Sequence, residues 1–78
     1  MGAYKLKDIR RDFELATKNV WCGHTETLLE IASRLITEWP ENQAKDMAIS
    51  HLLQAAEMLA NSIIMSKSEE RTTTRAGE

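Results

Sequence analysis

Apolar residues recur at three- and four-residue spacing on both sides of a single proline, which predicts two amphipathic helices. The run before Pro40 contains Leu28, Ala32, Leu35, Ile36 and Trp39, and the run after it contains Ala44, Ala48, Leu52, Ala55, Leu59 and Ile63. Two helices joined by about three residues lie antiparallel as a helical hairpin. We therefore predict helix two at residues 26–39 and helix three at residues 41–66.

The corner between these helices has two possible geometries. Proline disfavours helical backbone at Trp39 and lacks an N–H donor, but it suits the first turn of a following helix. Asn42 is the alternative N-cap if helix three begins a little later. Both starts for helix three are open from the sequence.

A shorter helix is predicted at residues 4–20, with one apolar stripe formed by Leu6, Ile9, Phe13 and either Ala16 or Thr17. The predicted fold class is therefore all-α, a short N-terminal helix plus a long antiparallel helical hairpin. Residues 1–66 form the expected single domain. Residues 67–78 are polar and lack apolar periodicity, so we expect a tail that is disordered or ordered by a partner.

The size of the chain predicts self-association. Its 78 residues include one cysteine, so an intramolecular disulfide is impossible. Chains this short bury little surface and commonly gain stability by oligomerising. We therefore expect a homo-oligomer.

The charge pattern bears on the class of ligand. The formal net charge is −2, yet residues 4–18 carry five cationic and three anionic side chains, a net charge of 5 − 3 = +2. A duplex DNA binder presents a broader basic face, so a helix-turn-helix protein is a minor alternative. A small anionic ligand needs only a few cations. With neither a signal peptide nor an apolar run of membrane-spanning length, we expect a cytosolic protein without a membrane partner.

Residues 18–25 form the predicted loop between helices one and two, and its aromatic residue has two interpretations. Trp21 either covers the hydrophobic core or stacks on a planar ligand such as a base. Cys22 and His24 lie close by, but with His51 they are too few for a zinc site, and a catalytic thiol needs an oriented base. We expect no enzyme, no cofactor and no metal.

Two segments carry a resemblance to a known family. Residues 40–52 read PENQAKDMAISHL and residues 56–62 read AEMLANS. A proline corner, an Ala-Ile-Ser-His-Leu run and a later Ala60-Asn61 pair in a Met-rich helix resemble the small helical-hairpin proteins of phages that sequester cyclic oligonucleotide signals of bacterial CBASS immunity.

This resemblance implies a non-enzymatic viral sponge in the host cytosol. Such proteins are compact oligomers that bind cyclic dinucleotides, and in some members trinucleotides, in pockets between protomers. In that family an aromatic and a lysine from the N-terminal region carry much of the binding. The candidate ligand-binding residues of the same chemical types here are Tyr4, Arg11, Lys18, Asn19, Trp21 and Thr25. The alternative function is a helical interaction module or inhibitor that docks a host protein through helix three.

Overall fold

The computed structural model describes residues 4–76 and the side chains of residues 4–67. It contains three α-helices, α1 (Leu6–Thr17), α2 (Gly23–Glu38) and α3 (Gln43–Ala76), and within these residues there is no strand. The prediction of an all-α fold is confirmed. Each helix packs against the other two, so the three share one core.

The ends of α1 and α2 differ from the predicted ones. Helix α1 begins at Leu6 and ends at Thr17, because Lys18 adopts a left-handed backbone with φ 53° and ψ 37°. Helix α2 begins at Gly23, three residues before the predicted start, because Cys22 takes the extended N-cap conformation there. The connecting loop is therefore residues 18–22, which lie within the predicted loop of residues 18–25 and end three residues earlier.

The corner at Pro40 follows the second of the two predicted geometries. Trp39 is extended, with φ −101° and ψ 149°, as expected for a residue that precedes proline. Asn42 accepts a hydrogen bond at its Oδ1 from the backbone N–H of Lys45 at 2.8 Å, which is N-cap geometry. Helix α3 then starts at Gln43 and runs to Ala76, beyond the predicted end at residue 66. A separate tail at residues 67–78 stays a prediction, since side chains from residue 68 onward lie outside the described ones.

The core confirms the predicted stripes of α1 and α2 in part. Ile9, Phe13 and Ala32 are buried, and Leu29 is buried with them. Leu6 and Trp39 were predicted on these stripes but are exposed. Both lie at the ends of their helices, where the neighbouring helices no longer cover the stripe.

The buried stripe of α3 is displaced from the predicted one. Ala44, Ala48 and Ala55 are exposed, whereas the buried side chains are those of Lys45, Ile49, Ala56 and Ala60. The two stripes differ by about one residue, or 100° around the helix. Because α3 packs on both α1 and α2, its buried face is centred between two neighbours.

A buried lysine closes the corner between α2 and α3. The side chain of Lys45 is 4% exposed, and its Nζ donates to the backbone carbonyl of Trp39 at 3.2 Å and to Glu41 Oε1 at 2.5 Å. A buried ammonium needs such partners because burying a charge without hydrogen bonds is costly. Lys45 therefore joins the last residue before the proline to the first turn of α3.

Candidate ligand-binding site

A cluster of three side chains joins α1, the following loop and the first turn of α2. The guanidinium carbon of Arg10 lies 5.4 Å from the centre of the Trp21 ring, within range of a cation–π interaction. Arg10 Nη2 donates to Glu26 Oε2 at 2.9 Å, and Trp21 Nε1 donates to Glu26 Oε1 at 3.0 Å. One carboxylate is thus held by a guanidinium and an indole N–H.

The anion held in this cluster is a carboxylate of the protein itself. Arg10 and Trp21 present two donors to the two oxygens of Glu26, and a phosphate has oxygens that fit the same donors. The side chains of Arg10 and Glu26 are 57% and 53% exposed, so solvent and solutes reach the pair. Exposed ion pairs of this kind contribute about 0–1 kcal/mol to stability, so replacing the Glu26 carboxylate with another anion costs little free energy.

The loop beside this cluster has an unusual backbone. Lys18 and Asn19 both have positive φ, 53° and 64°. The N–H of Lys18 donates to the carbonyl of Leu15, and the N–H of Asn19 donates to that of Glu14, which together form a Schellman motif. Glycine usually occupies the left-handed position, so a lysine there costs roughly 1–2 kcal/mol. Non-glycine residues in this conformation are frequent at functional sites.

The other predicted ligand residues have different surroundings. Tyr4 is half-buried and packs on the core, as does Trp21. Arg11 is exposed and lies 3.6 Å from Asp8. Thr25 is 1% exposed, and its hydroxyl lies 3.2 Å from Cys22 Sγ. Lys18, Asn19 and Trp21 therefore share the loop, whereas Thr25 turns into the interior.

Trp21 accommodates both interpretations made from the sequence. It packs against the core, and one of its faces carries Arg10. A base that stacks on this residue must therefore contact the guanidinium, the uncovered part of the ring, or both. Guanidinium planes and indole rings both stack on bases.

In comparisons with protein-family models, curated proteins and solved structures, this chain matches none. The resemblance to the CBASS sponges thus stays a prediction.

Cys22 lies at the N-cap of α2 and has a free thiol. The hydrogen bond with the Thr25 hydroxyl lowers the pKa of this thiol from its ordinary value, and the backbone N–H groups of Thr25 and His24 add to the effect. Among the described residues, no group of three or more His, Cys, Asp and Glu side chains is placed to hold a metal ion. No helix in this part of the chain is long and apolar enough to cross a bilayer.

Arg10 and Glu26 belong to this cluster but were not among the residues predicted to bind a ligand. They are 16 positions apart and meet because α1 packs against α2. Their opposite charges on two predicted helices were the one available signal, and many other pairs on this chain share it. The burial of Lys45 was not predicted either, since lysine is among the residues least often buried.

Proposed function

We propose that this protein is a non-enzymatic sponge that binds and sequesters a cyclic oligonucleotide, a dinucleotide or a trinucleotide. It would act as a homo-oligomer in the host cytosol during infection, with pockets between protomers. Helices α2 and α3 would form the antiparallel hairpin of each protomer. Arg10, Lys18, Asn19 and Trp21 would contact the ligand, and Tyr4 and Arg11 would flank them.

The Arg10–Trp21 pair is the observation that carries this proposal. A cyclic oligonucleotide combines planar bases with phosphodiester anions, so its binding site needs an aromatic or guanidinium plane beside a cation. The pair offers both within 5.4 Å, and the exposed ammonium of Lys18 lies on the same loop as Trp21. Glu26 holds the two donors in place and would yield them to a phosphate.

Calorimetric titration with a panel of cyclic di- and trinucleotides tests the proposal. At least one member should bind, and linear dinucleotides of the same bases should bind more weakly because they lose more conformational freedom. Replacing Trp21 with alanine should then reduce affinity about 5- to 150-fold, since stacking contributes roughly 1–3 kcal/mol per base.

A matched arginine variant shows whether binding requires the Arg10–Trp21 pair or only a positive charge on the surface. Arg34 is an exposed arginine paired with Glu30 at 3.4 Å, much as Arg10 is paired with Glu26, but it lies on α2 without an aromatic contact in the described structure. Arg10→Ala should weaken binding and Arg34→Ala should leave it unchanged. Equal losses in the two variants, or no binding of any cyclic nucleotide by the parent protein, would contradict the proposal.

The alternative function, a module that docks a host protein, is favoured by a different observation. Met47, Met58, Ile64 and Met65 are all more than 45% exposed on α3. Methionine-rich apolar surfaces are common at protein interfaces. A docking module would keep its affinity for the host protein in the Trp21→Ala variant, whereas the proposed sponge would lose its ligand.

A further inference from the structure

The exposed side of α3 between residues 44 and 65, here called the outer face, is almost free of charge. Of the side chains exposed there, Glu57 alone is a carboxylate, and lysine and arginine are absent from them. By contrast, the exposed side chains of α1 include Lys7, Arg10 and Arg11. The core of a protein interface is depleted of charged residues and enriched in methionine, as this face is.

The charge pattern indicates which surface covers the outer face. In a two-fold symmetric contact each residue near the axis meets its own copy, so any charge near the axis would face a like charge. A heterologous partner imposes no such restriction and more often brings complementary charges. A face that carries one charge over about 30 Å of helix is therefore suited to pairing with itself.

The seven-residue spacing of small side chains on the outer face also favours pairing of α3 with a second copy of itself. Ala48, Ala55 and Ser62 lie seven residues apart, and all three are exposed, so they form one seam along the outer face. When two copies pair antiparallel about Ala55, Ala48 of each lies opposite Ser62 of the other. In the same pairing Ala44 of each copy lies opposite Ser66 of the other, so that small exposed side chains meet along the whole seam. Small residues at heptad spacing allow close approach of the two helix axes.

A groove beside this seam offers an apolar surface to the opposite copy. It has a volume of about 490 Å³ and is lined by residues of α2 and α3, including Leu28, Ala55, Met58 and Leu59. Met58 is 66% exposed and lies at the rim, one helical turn from the proposed axis. A symmetric pair would therefore bring Met58 of each copy toward the groove of the other.

We infer that the outer face is the contact between two copies of this chain, an antiparallel α3–α3 pair with its two-fold axis near Ala55. This inference concerns self-association and does not rest on the proposed ligand. In this interface the exposed methionines and the groove would contact the opposite copy. Neither belongs to the Arg10–Trp21 site. It also predicts an even number of protomers in the assembly.

Sedimentation equilibrium or light scattering on the full chain tests this pairing. The parent protein should be a dimer or a larger even-numbered oligomer. Ala55→Glu and Met58→Glu each place like charges across the axis, so the mass should fall by half or more in both variants, with unchanged helical circular dichroism. Leu15→Glu is the control, because Leu15 is 71% exposed on α1 and its variant should keep the parent mass.

Crosslinking gives a second readout that does not depend on disruption. In a Cys22→Ser background, Ala55→Cys should oxidise rapidly to a disulfide between two chains, whereas Leu15→Cys should not. A monomeric parent protein, as expected if this face docks only a host protein, would overturn the inference. An unchanged mass in both glutamate variants, or equal crosslinking at residues 15 and 55, would also overturn it. Nucleotide titration of the same samples tests ligand binding separately. A monomer that binds a cyclic nucleotide would contradict the pairing but not the ligand, and an oligomer that binds none would contradict the ligand but not the pairing.

Discussion

Replacing Lys18 with glycine should stabilise the protein and at the same time weaken its binding of a cyclic nucleotide. Lys18 has φ 53°, a left-handed conformation that glycine adopts without steric cost. Its side chain is exposed, and its ammonium forms no ion pair with another described residue. The substitution therefore relieves backbone strain without removing an observed contact.

The size of the effect follows from two opposing terms. Relief of the left-handed strain contributes roughly 1–2 kcal/mol. Glycine also makes the unfolded chain more flexible, which costs about 0.4–1 kcal/mol. The net gain in the free energy of unfolding is then between about 0 and 1.6 kcal/mol, with a central value of about 0.8 kcal/mol. In a domain of this length 1 kcal/mol corresponds to roughly 4–8 °C, so the central value predicts a rise in Tm of about 3–6 °C.

Thermal and urea denaturation measure the stability, and calorimetry measures the affinity. Two companion variants separate the effect of backbone strain from the effect of the lysine charge. Lys18→Ala removes the ammonium but keeps the strain, so it should lose affinity without a gain in Tm. Asn19→Gly relieves less strain because asparagine tolerates this conformation, and it should raise Tm by less than Lys18→Gly.

Two results would refute this reasoning at different points. A lower Tm for Lys18→Gly would mean that the loop does not hold Lys18 in the left-handed conformation. A higher Tm with unchanged affinity would mean that the lysine is not a ligand residue. The second result would leave the fold intact and remove Lys18 from the proposed site.

Three further predictions concern the corner and the Arg10–Trp21–Glu26 cluster. Asn42→Ala removes the N-cap of α3 and should lower the free energy of unfolding by about 1 kcal/mol in urea denaturation, and an unchanged value would mean that Asn42 does not cap. The hydrogen bond from Lys45 lowers the pKa of Glu41 below its ordinary value of 4.5. The stability from this pair is therefore present above that value and is lost as pH falls through the lowered pKa, so Glu41→Gln should flatten acid denaturation there; a slope equal to that of the parent protein would contradict the pairing. Glu26→Gln removes the internal anion from Arg10 and should tighten binding of a cyclic nucleotide with little change in Tm, whereas weaker binding would show that Glu26 contacts the ligand.

The sequence predicted those parts of the fold that depend on local chemistry. Pro40 disfavours helical backbone at Trp39 in any context, and the end of α2 follows from this. The start of α3 at Gln43 is the Asn42-capped one of the two starts that the sequence left open. Ile9 and Phe13 are buried as predicted because α1 has a single narrow apolar stripe. These features required no knowledge of which helices meet.

Features that depend on contacts between helices were not predictable in the same way. The buried stripe of α3 includes Lys45 and excludes Ala48, because its centre is set by two packing partners and not by the pattern on α3 alone. Lys18 and Asn19 both adopt the left-handed conformation, and no glycine among the described residues does so, although glycine adopts it at the lowest cost. The Arg10–Trp21–Glu26 cluster likewise exists only once α1 and α2 are in contact.

The burial of Lys45 makes its amine a chemical reporter of motion at the Pro40 corner. The other lysines whose side chains are described are exposed, so an acylating reagent reaches them directly: Lys5, Lys7, Lys18 and Lys67. Lys45 can react only during excursions that separate its Nζ from Glu41 and from the carbonyl of Trp39. Its protection, read by mass spectrometry, therefore measures how often the corner opens. Each acylation removes the charge and the hydrogen bonds that would have closed the corner again.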